Sequence, residues 1–131
     1  MSARALLLTA VAAHTLAGCG TSAHDAVRNN VLQFGQAARS HDYKTLCTQV
    51  LAPALVTRLR STGLSCEAAL EVGLGPVREA TISIGQITVK GSQASAIVLA
   101  LAQGESASLD TLGLIDTSSG WRIASLHQPG G

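Results

Sequence analysis

Hydrophobic positions along this chain keep two different rhythms, and the change between them falls at Pro76. Before that residue the apolar side chains recur every three or four positions; after it they alternate, and β-branched residues replace Leu and Ala. From Val27 the spacing Val27, Val31, Phe34 and Ala38, with Leu32 beside them, predicts an amphipathic helix, with Asp25 placed to cap its N-terminus or to compensate its dipole. Ser40-His41-Asp42 breaks that helix and starts a second, whose buried side is Leu46, Cys47, Val50 and Leu51. Pro53 fits the first turn of a short third helix carrying Leu55, Val56 and Leu59, which Thr62-Gly63 ends. Ser65 caps a fourth segment, Cys66 to Leu74, with Glu67 in its first turn, and Gly73, Gly75 and Pro76 stop it.

Four strands are expected after the switch. Thr81 to Lys90 alternates as Ile82, Ile84 and then Ile87, Val89, and the phase slips at Gly85-Gln86, where a bulge is the economical explanation. Gly91-Ser92 turns the chain into Ala94 to Gln103, whose Ile97, Leu99 and Leu101 are expected to face the helices. Ala96, Val98 and Ala100 then form the opposite face, either a small flat contact surface or the small residues of a tightly curved strand. Ser106 to Asp116 and Trp121 to Leu126 complete an antiparallel meander, with Gly104 and Ser118-Ser119-Gly120 at the turns.

The N-terminal residues change the picture most. Met1 and Arg4 supply positive charge, Ala5 to Leu16 are mostly apolar, and Leu16-Ala17-Gly18-Cys19 reads as a lipobox. The apolar run is shorter than the roughly 20 residues of a membrane-spanning helix. Residues 1–18 are therefore expected to be a lipoprotein signal peptide, with Cys19 the lipidated N-terminus and 19–25 a short tether. Residues 26–127 would form one domain, and 128–131 a tail. Membrane attachment would be through acyl chains alone, palmitate among them, and two or more chains anchor a protein stably. The expected location is the outer face of the cell membrane.

Charge and cysteines narrow the partners. Nine Lys plus Arg stand against eight Asp plus Glu, which leaves no basic stripe for a phosphate backbone, and Phe34, Tyr43 and Trp121 are too few to stack bases. Nucleic acid is excluded as an expected partner. Three cysteines are present, and assigning Cys19 to lipid leaves Cys47 and Cys66, an even pair outside the cytoplasm, expected to oxidise. Their bridge would close a loop of about 20 residues and contribute on the order of 3 kcal/mol.

Candidates for chemistry are few. His41, Asp42 and Tyr43 cluster at a helix start, where capping by Asp42 and packing of Tyr43 account for them. Asp110 falls in the third strand, where it either points into a cavity or marks a bulge or an exposed edge. His24 sits in the tether and His127 near the end of the chain, neither held for acid or base work. Ser61, Ser65 and Ser83 lack a nucleophile-elbow context. No His, Asp or Glu set has metal-ligand spacing, and no glycine cluster cradles a phosphate, so no catalytic residue, metal or cofactor is indicated.

The break Ala38-Arg39-Ser40-His41-Asp42-Tyr43, the Leu46-Cys47 and Ser65-Cys66-Glu67 pair, and the closing Gly120-Trp121-Arg122-Ile123 resemble the nuclear-transport-factor-2-like (SnoaL, or cone) superfamily. The likeness is to its short secreted lipoproteins of high-GC Gram-positive bacteria, over most of residues 26–127. It implies an α+β fold in which N-terminal helices pack on a curved four-stranded antiparallel sheet. It also implies a cone-shaped cavity that some members use for catalysis or small ligands. Residues 53–74 read as helix where the family has an early hairpin, which puts one wall of that cavity in question. Together these readings point to a non-catalytic binding or accessory module at the cell envelope. Its partner would be an envelope protein, a small apolar ligand, or a second copy bound through a sheet face. The alternatives are an isomerase or dehydratase-like enzyme with a pocket lined by Asp110 and Tyr43, and a structural protein with a filled core.

Overall fold

The structure, a computed structural model, describes residues 21–127. The expected signal peptide, Cys19 and the tail lie outside them. Helix α1 spans Ala23–Ser40, and its cap is Ser22, whose hydroxyl accepts from the Asp25 amide at 3.1 Å. Asp25 thus compensates the dipole from the first turn, and part of the expected tether is helical. His41 closes α1 in the left-handed region at φ 55°. Helix α2, Tyr43–Thr45, runs on as a π-helical segment, Leu46–Val50, followed by α3, Pro53–Arg60, and α4, Cys66–Leu74. Residues 53–74 form two helices, α3 and α4, joined by a turn at 61–65, as their pattern predicts.

Strands β1, Thr81–Lys90, β2, Gln93–Leu101, β3, Ser108–Thr117, and β4, Gly120–His127, pair in sequence order as an antiparallel meander. The fold is α+β, with helices packed on a four-stranded antiparallel sheet. The β1–β2 register slips between Ile84 and Gln86, the bulge that the broken alternation at Gly85 predicts. A second slip, between Gly113 and Leu114, leaves Ala124 without a partner. Bulges strengthen local twist and bend, so both help the sheet wrap toward α1.

The facing of β2 is the reverse of the expectation. Ala94, Ala96 and Val98 are buried, whereas Leu99 and Leu101 are 40% and 43% exposed. The register explains the reversal. Ala96 lies opposite Ile87 and Leu112, Val98 opposite Ile84, and Ala100 opposite Ile82, so the neighbouring strands already supply the bulk beneath the helices. Small side chains fit between them. The flat surface expected at Ala96, Val98 and Ala100 is therefore interior. Apolar residues that do face outward are Ile97, Leu99, Leu101 and Leu109, with Leu99 directly opposite the 54%-exposed Leu109.

Three contacts join the helical half to β4. The Ala52 amide donates to the Ile123 carbonyl at 2.7 Å, and Arg58 Nη2 donates to the Ala124 carbonyl at 2.8 Å, which covers an otherwise open sheet edge. Asn30, only 6% exposed, donates from Nδ2 to the carbonyls of Trp121 at 2.9 Å and Val50 at 3.4 Å. The core around it is aliphatic, with Leu46, Leu114, Ile123, Val27 and Val31 fully buried. A disulfide joins Cys47 of the π-helical segment to Cys66 at the start of α4, with Cα atoms 6.1 Å apart. Cys66 is buried and Cys47 partly so.

Replacing both bridge cysteines, Cys47→Ser with Cys66→Ser, is expected to lower the unfolding free energy by about 3 kcal/mol. Denaturant titration measures it, and the difference from the native chain should vanish when both are unfolded in reductant.

Candidate ligand cavity

Helix α1 crosses the sheet with Phe34 and Ala38 turned toward β1 and β2, and their small or flat side chains leave space above Ala100. That space is a cavity of about 340 Å³, near the lower end of the roughly 300–1,000 Å³ typical of small-molecule sites. Its floor is Ile82, Val98, Ala100 and Leu112, and Leu126 of β4 bounds another side. Leu74 at the end of α4, with Val77 and Ala80 after it, supplies a further wall.

One carboxylate enters this apolar space. Asp110 pairs with Val98 across the β2–β3 ladder, which puts its side chain on the helix-facing surface, partly buried. Ser108, two residues earlier and therefore on the same face, donates its hydroxyl to Asp110 Oδ2 at 2.8 Å. Exposed Glu105 and Ser106, from the β2–β3 turn, stand at the rim. Among the described lining residues there is no Lys, Arg or His. Sequence reasoning singled out Asp110 and missed Ser108, although the spacing of one intervening residue in a strand was the available signal.

The other candidates lie elsewhere. Asp42 caps α2, its Oδ1 accepting from the Thr45 amide at 3.0 Å and its Oδ2 from the Thr45 hydroxyl at 2.7 Å. Those two hydrogen bonds, the hydroxyl's first, hold its carboxyl below the usual carboxylate range. His41 Nε2 donates to the Val77 carbonyl at 3.0 Å, which fixes the segment leading into β1. Tyr43 packs against the core, its ring centroid 5.8 Å from that of His41. Neither His41 nor Tyr43 lines the cavity, so the pairing of Asp110 with Tyr43 does not occur. His24 is exposed in the first turn of α1, and His127 ends β4 opposite Thr111. Ser65 caps α4, Ser61 donates to the Arg58 carbonyl, and Ser83 is exposed. Among the described residues no three His, Cys, Asp or Glu side chains gather as metal ligands. A second cleft of about 350 Å³, by α3 and the β3–β4 turn, is polar and holds Arg60 and Arg122.

No family model matches the chain, and no curated relative matches it. Solved structures do. A protein of unknown function from Shewanella baltica OS155, described as NTF2-like, covers 77% of this chain and 87% of its own at 15% identity, with a TM-score of 0.57. A candidate dehydratase of the NTF2-like family from Streptomyces avermitilis covers 80% and 93% at 14% identity, with a TM-score of 0.58. The fold is nuclear-transport-factor-2-like. A more distant likeness, at a TM-score of 0.48 and 11% identity over 85% of this chain and 80% of the other, is to a phospholipid-binding protein from Ralstonia solanacearum. The cavity occupies the space between helices and sheet, with the end of α4 as one of its walls.

Because the Asp42 carboxyl titrates lower when folded than unfolded, its cap stabilises the protein fully above the unfolded value of about 3.9 and fades as pH falls through the lower folded one. The stability gap between native protein and Asp42→Ala is expected to be constant at neutral pH and to close in acid. Urea titrations across pH measure it.

Proposed function

We propose that this chain is a lipid-anchored module at the outer face of the cell membrane that binds a small, largely apolar ligand without transforming it. The observation that carries this reading is the cavity over Ala100, apolar on most of its surface and bearing one inward carboxylate. A few placed polar groups in an apolar concavity are the ordinary make-up of a ligand site. The location rests on the Leu16-Ala17-Gly18-Cys19 motif and on the disulfide, which suits an oxidising compartment. The short distance in sequence between Cys19 and α1 would hold the start of that helix close to the lipid surface.

Asp110 also supports a second reading, an isomerase or dehydratase-like enzyme using the same space. Asp110 alone could carry a proton between two positions of a substrate, but the negative charge that develops meanwhile needs a donor in reach, and His41 and Tyr43, the candidates named by sequence, do not line the cavity. Binding needs only what lines the cavity. A structural protein without ligand would have a filled interior, and the open volume weighs against it.

Ala100→Phe would fill the cavity from its floor. A neutral environment-sensitive dye such as N-phenyl-naphthylamine is expected to brighten with the native protein and to lose most of that signal with the variant, at equal or higher melting temperature. No binding of the dye or of any neutral amphiphile by the native protein sinks the ligand reading. For the anchor, intact-mass analysis of membrane-extracted protein should find a chain starting at a diacylated Cys19; an unmodified start elsewhere contradicts it.

A further inference from the structure

We propose that the ligand of this cavity is an amphiphile with a protonated amine head, seated on Asp110 with its apolar body against Ala100 and Phe34. The inference rests on the binding reading above and adds the charge of the ligand to it.

Filling the cavity strips water from Asp110. A carboxylate offers about four acceptor sites, and Ser108 occupies one, at 2.8 Å; among the described residues no other hydrogen bond or ion pair reaches the Asp110 side chain. A purely apolar ligand would leave the remaining sites dehydrated and unpaired, which is strongly unfavourable. An anionic head, whether carboxylate or phosphate, would meet Asp110 inside and Glu105 at the rim, with no Lys, Arg or His lining the cavity to offset them. A cationic head meets the opposite field on the way in and inside.

Two features narrow the cation to an amine with N–H donors. Phe34 is the one aromatic side chain among the described lining residues, too little for the aromatic cage that holds a quaternary ammonium. The vacant positions on Asp110 Oδ1 and Oδ2 suit charge-assisted hydrogen bonds, which are roughly twice as strong as neutral ones. The basic side chains Arg60 and Arg122 stand instead around the second cleft.

The test is displacement of bound N-phenyl-naphthylamine from the purified full chain by decylamine, decanol and decanoate, the two ionic amphiphiles below their micelle concentrations and decanol below its solubility limit. Decylamine is expected to displace the dye at a concentration roughly tenfold or more below decanol, as one charge-assisted contact implies, with decanoate weakest. Asp110→Asn should erase the amine's advantage and leave decanol unchanged, and the dye, still bound, shows that the variant is folded. Ser108→Ala, which frees a further acceptor site, should keep the preference. Equal displacement by amine and alcohol, a preference for decanoate, or an amine advantage that survives in Asp110→Asn overturns the proposal while the binding reading stands. Failure of the dye and of all three amphiphiles to bind overturns both.

Discussion

The direction in which β2 turns its side chains governs this structure. A helix of α1's length can lie across the sheet only if the face beneath it is shallow, and Ala94, Ala96 and Ala100 make it shallow in the middle while Ile82, Ile84, Leu112 and Leu114 fill the flanks. With Leu99 and Leu101 inside instead, the same strand would hold α1 away from its neighbours, and the space above Ala100 would be side chain. The cavity is thus a consequence of small residues on the crowded face of a bent sheet. Its depth follows from the packing of α1 on the sheet, and the segment after α4 and the β2–β3 turn close its sides.

Cross-links on the other side of the domain keep that arrangement in place. The Cys47–Cys66 bridge ties α4 to the π-helical segment, and α4 in turn delivers Leu74 to the cavity wall. Asn30 acts at the opposite end, one amide spanning α1, the π-helical segment and β4 through two carbonyls. Its Oδ1 has no partner among the described residues, a sign that the donor contacts alone dictated its orientation. Ala52 and Arg58 finish the job by occupying the carbonyls on the edge of β4. The helical half and the sheet are therefore joined by directional bonds at the rim of an aliphatic core, which resists sliding better than apolar contact alone.

Electrostatics sorts the surface left over. Asp110 and Glu105 belong to the cavity, and Arg60 and Arg122 stand around the polar cleft by α3. On the proposed reading, a cavity that is apolar in bulk and acidic at one point would discriminate among amphiphiles by their heads, because their tails make similar contacts.

Local regularities in the sequence sufficed for much of this. Period and breakers placed four helical segments before Pro76 and four strands after it, the interrupted alternation at Gly85 located the first bulge, and parity of the cysteines singled out Cys47 with Cys66. Each depends on residues close along the chain or on simple chemistry. Asp110 was legible as the candidate carboxylate for the same reason: strand residues alternate, whatever lies above them. The sense of the alternation was not, because β2 is apolar on both faces, and only its pairing with β1 and β3 decided that alanines go under the helices and leucines go out. Asn30 was overlooked although it stands three residues after Val27 on the buried stripe, since a polar residue there makes sense only once Trp121 and Val50 have been brought to it. Periodicity states that a face exists; which face is inside, and what empty space remains beneath it, are set by the bulk of distant neighbours that only the folded chain brings together.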